Sequence, residues 1–311
     1  MADVPLSEST VERTTEDVGG RIATLQGQGI TFGPDRRWRW HCDTKGRTVA
    51  YVTLDASGTR QQGPGGRHAD GRMAYVGGVY NPPPPQWLRP CGPAPPVQAR
   101  YVSGLYTLAA MGPLLRYQAT AVGMERADVW IALCDGGSGL ESLLQSHFNR
   151  VDLVVILDFY HAASYVQALA HALYAADEVQ AAGQAEAWCR LLKEEGGATT
   201  LAVLREWAWP ARQSSAWREA WQALESYFVN NLHRMAYPEY VAEGWQIGSG
   251  VVESACKTVV GQRLKGAGKR WGEVGAHALC HVRALYRSEK GQWEAFWRRQ
   301  YTQRANVQQL K

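Results

Sequence analysis

The chain is expected to be an α/β protein: a mixed five-stranded sheet flanked by helices, with an all-α block inserted before a late helix. Three observations carry this. Three β-branched and aromatic stretches follow one another with hairpin-type connections between residues 48 and 107. From 108 to 157 helical spacing alternates with short apolar runs, as in parallel strands joined by crossover helices. Residues 162–235 are rich in Ala, Leu, Glu, Gln and Trp and read as helical throughout.

The elements follow in order. Residues 6–26 read as a helix that Ser7 or Ser9 can cap, with Val11, Ile22 and Leu25 apolar and Gly19-Gly20 a weak point. Such a helix usually serves packing; the other reading is the tail of a DNA-reading helical domain. Residues 48–54 form a strand ending at Asp55, and 56–66 a polar, Gly-rich turn. A second strand covers 73–80, a third 101–107. Between them, residues 81–96 hold eight prolines and read as an irregular surface loop. Residues 108–124 are helical, Val129–Cys134 is a strand ending at Asp135, and 140–148 is a helix. Residues 151–157 form a strand buried on both faces, ending at Asp158. The helical block breaks at Gly196-Gly197 and Pro210. One helix covers 251–264 and another 272–299, with Trp293, Phe296 and Trp297 on one stripe.

With 311 residues and 45% hydrophobic content the chain can bury a large core. No apolar run approaches the ~20 residues a membrane helix needs, and the polar, acidic start is no signal peptide. A collagen-like or wholly disordered chain is also excluded. Six scattered cysteines without a C-x-x-C pair argue against a zinc knuckle or a disulfide framework, and for reduced thiols in the cytoplasm. The net charge of +4 is uneven: residues 257–311 hold twelve Lys and Arg against three acids, leaving the body at −5. That points to a polyanion partner or to a solvated helical face.

Three acids follow apolar strands, Asp55, Asp135 and Asp158, and Glu253 opens a helix after Ile247-Gly-Ser-Gly250. Acids at one sheet end can converge, and converging carboxylates call for a cation. Hard oxygen donors favour Mg²⁺ or Mn²⁺, and two such ions can clamp a phosphodiester displacement. Each acid also has a plain structural reading: a turn for Asp55, an Asx turn for Asp135, and a helix-dipole acid for Glu253. The element order matches the ribonuclease-H-like fold, in which Asp55, Asp135 and Glu253 map by order onto its acids. Asp158 and His161 stand three apart after a strand, as groups that support the metal-binding acids or position DNA, or as a helix cap with a satisfied histidine. Lys257, Arg263, Lys265, Lys269 and Arg270 are candidate phosphate contacts; Trp271 is a base-stacking candidate or a core anchor.

At these residues the chain resembles a known family. Leu133-Cys-Asp-Gly-Gly137, Ile156-Leu-Asp-Phe-Tyr-His-Ala162, Ile247-Gly-Ser-Gly-Val-Val-Glu-Ser254 and Arg263-Leu-Lys-Gly-Ala-Gly268 with Trp271 look like bacterial insertion-sequence transposases of the Kra type, DDE enzymes of the Mutator-like group. The resemblance runs from about residue 48 to 297. Leu6 to Thr15 is similar to the family stretch preceding the catalytic domain. It implies a ribonuclease-H-like mixed five-stranded sheet flanked by helices, with an all-α insertion before the last catalytic helix. It also implies a catalytic, metal-binding triad of Asp55, Asp135 and Glu253 that holds two Mg²⁺ or Mn²⁺ ions. The division is then 1–45, a helix and linker as a possible remnant of a DNA-binding region; 46–161, the first part of the catalytic domain; 162–245, the insertion; and 246–311, the Glu-bearing helix with basic C-terminal helices. DNA is the implied partner, with a homodimer on paired element ends and a cytoplasmic, nucleoid-associated location. Relatives often carry Cys-x-x-His where Asp158-x-x-His161 stands here. Ala56 stands where relatives commonly have Gly after the first acid, a departure from the family pattern at Asp55. Only about 45 residues precede the first strand, where relatives carry a larger DNA-binding region, so a truncated copy, or one that relies on its basic C-terminus, is the expectation. Two other readings remain: an inactive transposase-derived DNA-binding protein, and a nuclease of the same fold without strand transfer.

Overall fold

The computed structural model describes residues 6–33, 37–83, 97–150, 152–207, 209, 214–248 and 250–309, with side chains to residue 302. Most of the proline-rich loop, Val151, the Pro210 break and Ser249 lie outside the described residues.

A six-stranded mixed sheet is the frame. Its path is β4 (Gln98–Gly104), β3 (His68–Asn81), β2 (Thr48–Gln62), β5 (Val129–Cys134) and β6 (Leu153–Leu157). The short β1 (His41–Cys42), which the sequence pattern did not show, pairs antiparallel with the start of β2. β2 and β3 are antiparallel, as are β3 and β4; β2, β5 and β6 are parallel. This agrees with the expected three antiparallel strands followed by two parallel ones.

Two strands correct the expectation. β2 does not stop at Asp55 but continues to Gln62, through the stretch read as a turn. The antiparallel ladder to β3 supplies its backbone hydrogen bonds, so polar residues suffice there. The turn shrinks to residues 63–67, where Gly65 has a φ of 67°. β6 is an edge strand with Leu153, Val154 and Val155 half-buried, not a strand buried on both faces.

Helices cover both faces. α2 (Leu108–Val122) and α3 (Leu140–His147) pack on the face carrying Ala50, Val52, Leu54, Trp130 and Ala132. On the other face, Val49, Tyr51, Ile131 and Leu133 meet α4 (Phe159–Leu173), α5 (Glu178–Glu206), α6 (Ser215–Asn231) and α7 (Tyr237–Ala242). The break expected at Gly196-Gly197 is a kink within α5, with Gly196 at a φ of 81°. Further along the same face, Ala74 and Val76 of β3 pack under α8 (Gly250–Ala255), a π-helical turn (Cys256–Gly261), α9 (Gln262–Leu264) and α10 (Glu273–Arg287).

The helix expected over 251–264 is thus interrupted. The Arg283 guanidinium donates to the carbonyls of Thr258 and Val259 at 2.9 and 3.1 Å, drawing them out of a regular ladder. The helix expected over 272–299 is two, α10 and α11 (Gln292–Gln309). Glu289 in the break forms a buried 2.6 Å ion pair with Arg100 of β4, which pulls the chain off the helical path. α1 (Glu8–Gly27), capped by Ser7, packs along α10. Gly19 is no weak point there: a Cβ at this position would meet the Ala278 carbonyl oxygen at 2.3 Å, so glycine permits the close crossing. Cys134, Cys189, Cys256 and Cys280 carry free thiols. Among the described residues no helix is long and apolar enough to cross a membrane.

A candidate active site where two parallel strands end

The register of the parallel pair places Leu54 of β2 opposite Cys134 of β5. The next residue on each is an acid, Asp55 and Asp135. Strand alternation sends both to the face that carries Tyr51 and Leu133. Asp55 is opposite Val76 of β3, at the seam between the α4–α7 layer and the α8–α10 layer.

Asp55 lies in the field of the Asp135 carboxylate. Burial raises the Asp55 pKa; hydrogen bonds from the Cys256 thiol and the Ala56 N–H pull it back; the Asp135 charge raises it again, and His161 lowers it. Cys256 Sγ is 3.2 Å from Asp55 Oδ2, and the Ala56 nitrogen is 2.6 Å from Oδ1. Cys256 itself is pushed well above the ordinary thiol range, first by burial and then by Asp55, while Lys265 opposes that shift. The thiol is therefore a proton-holding donor to Asp55 rather than a nucleophile.

Asp135 makes the Asx turn expected of an acid before two glycines: the Gly137 N–H donates to its Oδ1 at 2.8 Å. The Gly136 N–H donates to the Tyr227 hydroxyl at 3.1 Å, and a Cβ at Gly136 would stand 2.3 Å from the Tyr227 ring. Burial raises the Tyr227 pKa, the Gly136 bond lowers it and the Asp135 charge raises it again. Behind this loop lies Arg234, 3% exposed. It donates to Asn231 Oδ1 at 3.1 Å and to Cys134 Sγ at 3.3 Å, with a Glu141 oxygen 3.4 Å from its Nε. Its fixed positive charge sits at the residue preceding Asp135.

Two backbone ties bring the remaining elements here. The Phe159 N–H donates to the Ile247 carbonyl at 2.9 Å, and the Gln246 N–H donates to the Tyr51 hydroxyl at 3.1 Å. The chain entering α8 is thereby fixed to both α4 and β2. Asp158 is buried and caps α4, accepting from the Tyr160 N–H at 2.7 Å. That is the helix-cap reading. His161, in the first turn of α4, is half-buried beside the Tyr165 and Tyr227 rings, and its charge acts on Asp55.

Glu253 is exposed in the first turn of α8, three residues before Cys256. The structure brings Asp55 and Asp135 together and puts the Glu253 helix against Asp55. Among the described residues, however, no group of three His, Cys, Asp or Glu side chains is spaced to hold a metal ion. The donor chemistry of Asp55 and Asp135 fits a hard divalent ion, since a raised carboxyl beside a second carboxylate is what a cation relieves. The third ligand is not in place alongside them.

Lys257, Arg263, Lys265, Lys269 and Arg270 are all exposed, and Lys265 is the one whose charge acts on the Cys256 thiol. Trp271 is half-buried against the cluster under α8 and α10. Its backbone is tied to β2, the carbonyl accepting from the Gln62 N–H at 2.8 Å, which is the core-anchor reading. Sequence reasoning passed over Cys256, Tyr227 and Arg234. Only Cys256 carried a signal, its position one turn beyond Glu253. The chain matches no protein-family model and no curated protein.

Proposed function

We propose that the chain is a DDE-type DNA transposase that cuts and joins phosphodiester bonds of an insertion sequence, with Asp55, Asp135 and Glu253 as its metal-binding carboxylates. The observation that carries this is the meeting of Asp55 and Asp135, 80 positions apart in the chain, at the ends of adjacent parallel strands. The strand path, three antiparallel then two parallel, supports a ribonuclease-H-like catalytic domain, and the helices of 162–245 stand where the all-α insertion is expected.

Mg²⁺ or Mn²⁺ held there supplies charge neutralisation at the phosphate and activation of the attacking oxygen. The chain's own residues do the rest. Cys256 and His161 favour the ionised form of Asp55, and so its capacity to bind a cation. The Asx turn fixes Asp135. The basic stretch from Lys257 to Arg270 meets the DNA backbone, and two copies assemble on paired element ends. The test is Mg²⁺-dependent nicking at element ends by the wild type and by Asp135→Ala and Glu253→Ala. Loss of nicking in both supports the triad; retained cleavage in both removes it. Joined DNA separates a transposase from a nuclease that leaves only free ends.

A second reading draws on the missing third ligand: a transposase-derived protein that binds DNA through residues 257–311 without cutting it. It requires salt-sensitive DNA binding and no metal-dependent activity.

A further inference from the structure

Asp135 opens a loop that its own sequence leaves loose: Gly136, Gly137 and Gly139 all follow within four positions, and Gly139 has a φ of 81°. Ties from elsewhere hold it. The Cys134 carbonyl, in the peptide before Asp135, accepts from the Asp158 N–H at 2.9 Å. The Gly136 N–H, in the peptide after Asp135, donates to the Tyr227 hydroxyl at 3.1 Å. Both peptides that flank Asp135 are thus fixed by residues outside the loop. Tyr227 is itself firmly seated. Its ring stacks on Tyr165, 4.2 Å between centroids and 17° between planes, and its other contact is Gly136, where a Cβ would stand 2.3 Å away. Asn231 joins it to the buried Arg234: Asn231 Nδ2 donates to the Tyr227 carbonyl at 2.7 Å, and Arg234 Nε donates to Asn231 Oδ1 at 3.1 Å. Arg234 also donates to Cys134 Sγ at 3.3 Å, and its Nε lies 3.4 Å from a Glu141 oxygen. One segment, the end of α6 and the turn after it, therefore touches the chain just before Asp135, just after it and at the start of α3.

We propose that Tyr227 is a positioning residue for Asp135: its hydroxyl, seated by Tyr165, Asn231 and Arg234, fixes the peptide that sets where the Asp135 carboxylate points. The helices of 162–245 then do more than cover one face of the sheet, because one of them sets the geometry of the second acid. The bond within the loop, from the Gly137 N–H to Asp135 Oδ1, ties the carboxylate to the same peptides, so a turn of the Gly136 peptide carries the carboxylate with it. Tyr227 serves here as a hydrogen-bond acceptor, so phenylalanine keeps the ring and loses the bond. What this does for a cation rests on the reading of Asp135 as a metal ligand. A ligand left free to turn must be ordered when the ion binds, and affinity falls accordingly. Groups that hold a ligand directly are worth about 10–100-fold in metal affinity; Tyr227 acts through one peptide, which places it at the lower end.

The test compares the full chain with Tyr227→Phe in two measurements, neither of which needs DNA. The first is amide hydrogen–deuterium exchange without metal. The peptide covering Asp135 to Glu141 is expected to exchange about fivefold faster in the variant, the worth of one hydrogen bond, while Val129–Cys134 and α6 keep their rates. The second is Mn²⁺ binding followed by electron paramagnetic resonance. The variant is expected to bind about tenfold more weakly, with a metal-free Tm no more than about 2–4 °C below wild type. Tyr165→Phe removes a hydroxyl from the other ring of the stack and is expected to change neither measurement. Unchanged exchange at Asp135 to Glu141, or faster exchange spread through α6 and Val129–Cys134, overturns the proposal. So does equal Mn²⁺ affinity in a variant whose wild type binds the ion. If exchange responds as expected but the wild type binds no Mn²⁺, the metal-dependent reading of the site falls and the positioning of Asp135 by Tyr227 stands.

Discussion

The Cys256 thiol hydrogen-bonds the Asp55 carboxylate at 3.2 Å across 201 residues of chain, joining the helix that carries Glu253 to the strand that carries the first acid. This bond favours ionised Asp55. Cys256→Ala removes it, so the Asp55 pKa climbs further. On the proposed reading, the acid limb of a pH profile for Mg²⁺-dependent nicking is expected to move to higher pH. Cys256→Ser, which keeps a donor, is expected to restore most of the profile. An unmoved limb in the Ala variant would place Asp55 outside the rate-determining ionisation.

Asp55→Asn is expected to stabilise the protein. The folded-state pKa of Asp55 lies above its unfolded value, chiefly through burial. A carboxyl raised in this way favours the fold below its unfolded pKa, near 3.8, and loses that contribution as pH rises through the folded value. At pH 7 the ionised Asp55 therefore costs stability that Asn does not. Chemical denaturation should show a gain on the order of 1 kcal/mol at pH 7 that fades below pH 4. A loss at pH 7 would mean that its hydrogen bonds outweigh the burial.

The readable parts of the sequence were those where one local rule suffices. Val129–Cys134 is wholly apolar and buried, and turn residues flank it, so it reads as a strand from composition alone. Asp135 and Asp158 could be placed because they directly follow such runs. Residues 57–62 contain no apolar residue, and only the β3 ladder makes them a strand, which periodicity cannot report. The π-helical turn depends on Arg283, some 25 residues away, and the break before α11 depends on Arg100, 189 residues from Glu289. The convergence of Asp55 and Asp135 followed from parallel pairing. The position of Glu253 relative to them depends on how α8 is tied to α4 and β2, through backbone bonds that leave no residue signature.

Acid should weaken the seam between α1 and α10. His281 is fully buried, its Nε2 2.8 Å from the Tyr106 hydroxyl and its Nδ1 2.8 Å from Gln26 Oε1, with the His277 ring beside it. Burial, and then His277, lowers its pKa from 6.5 to about 3. The unfolded chain takes up this proton near pH 6.5 and the folded chain only near 3. Stability is thus full above 6.5 and falls as pH drops toward 3, by up to about 1.4 kcal/mol per unit. Unfolding free energies from pH 7 to 4 should show a shallower slope in His281→Gln than in wild type. Equal slopes would show that His281 does not titrate in the unfolding reaction.

Neighbouring glycines on α1 should respond in opposite directions. A Cβ at Gly19 would stand 2.3 Å from the Ala278 backbone oxygen, which has no room to move without shifting α10. Gly19→Ala is expected to cost roughly 1–3 kcal/mol. At Gly20, exposed and with nothing within 4 Å of a Cβ among the described residues, Ala is expected to gain about 0.5–1 kcal/mol from helix propensity. Thermal denaturation of the two variants checks both signs. Equal shifts would mean that α1 and α10 do not cross at Gly19 in solution.

Burial, and then the Asp135 charge, raises the Asp55 carboxyl, a cost that a bound cation would relieve. The effect can be measured without DNA. If Asp55 and Asp135 hold a divalent ion, Mg²⁺ or Mn²⁺ should raise Tm, by an amount worth about 1.4 kcal/mol at ten times Kd. Asp55→Asn and Asp135→Asn should each abolish the shift, because either substitution leaves one carboxylate and no repulsion to relieve. Glu253→Gln then decides the third ligand. A shift that needs higher metal concentration in this variant places Glu253 on the ion, which requires α8 or its side chain to move toward the pair. An unaltered titration confines the ion to the two aspartates and favours the reading in which the protein holds DNA without cutting it. Wild type indifferent to both metals would leave the raised carboxyl of Asp55 with no cation to relieve it and would remove the metal-dependent mechanism.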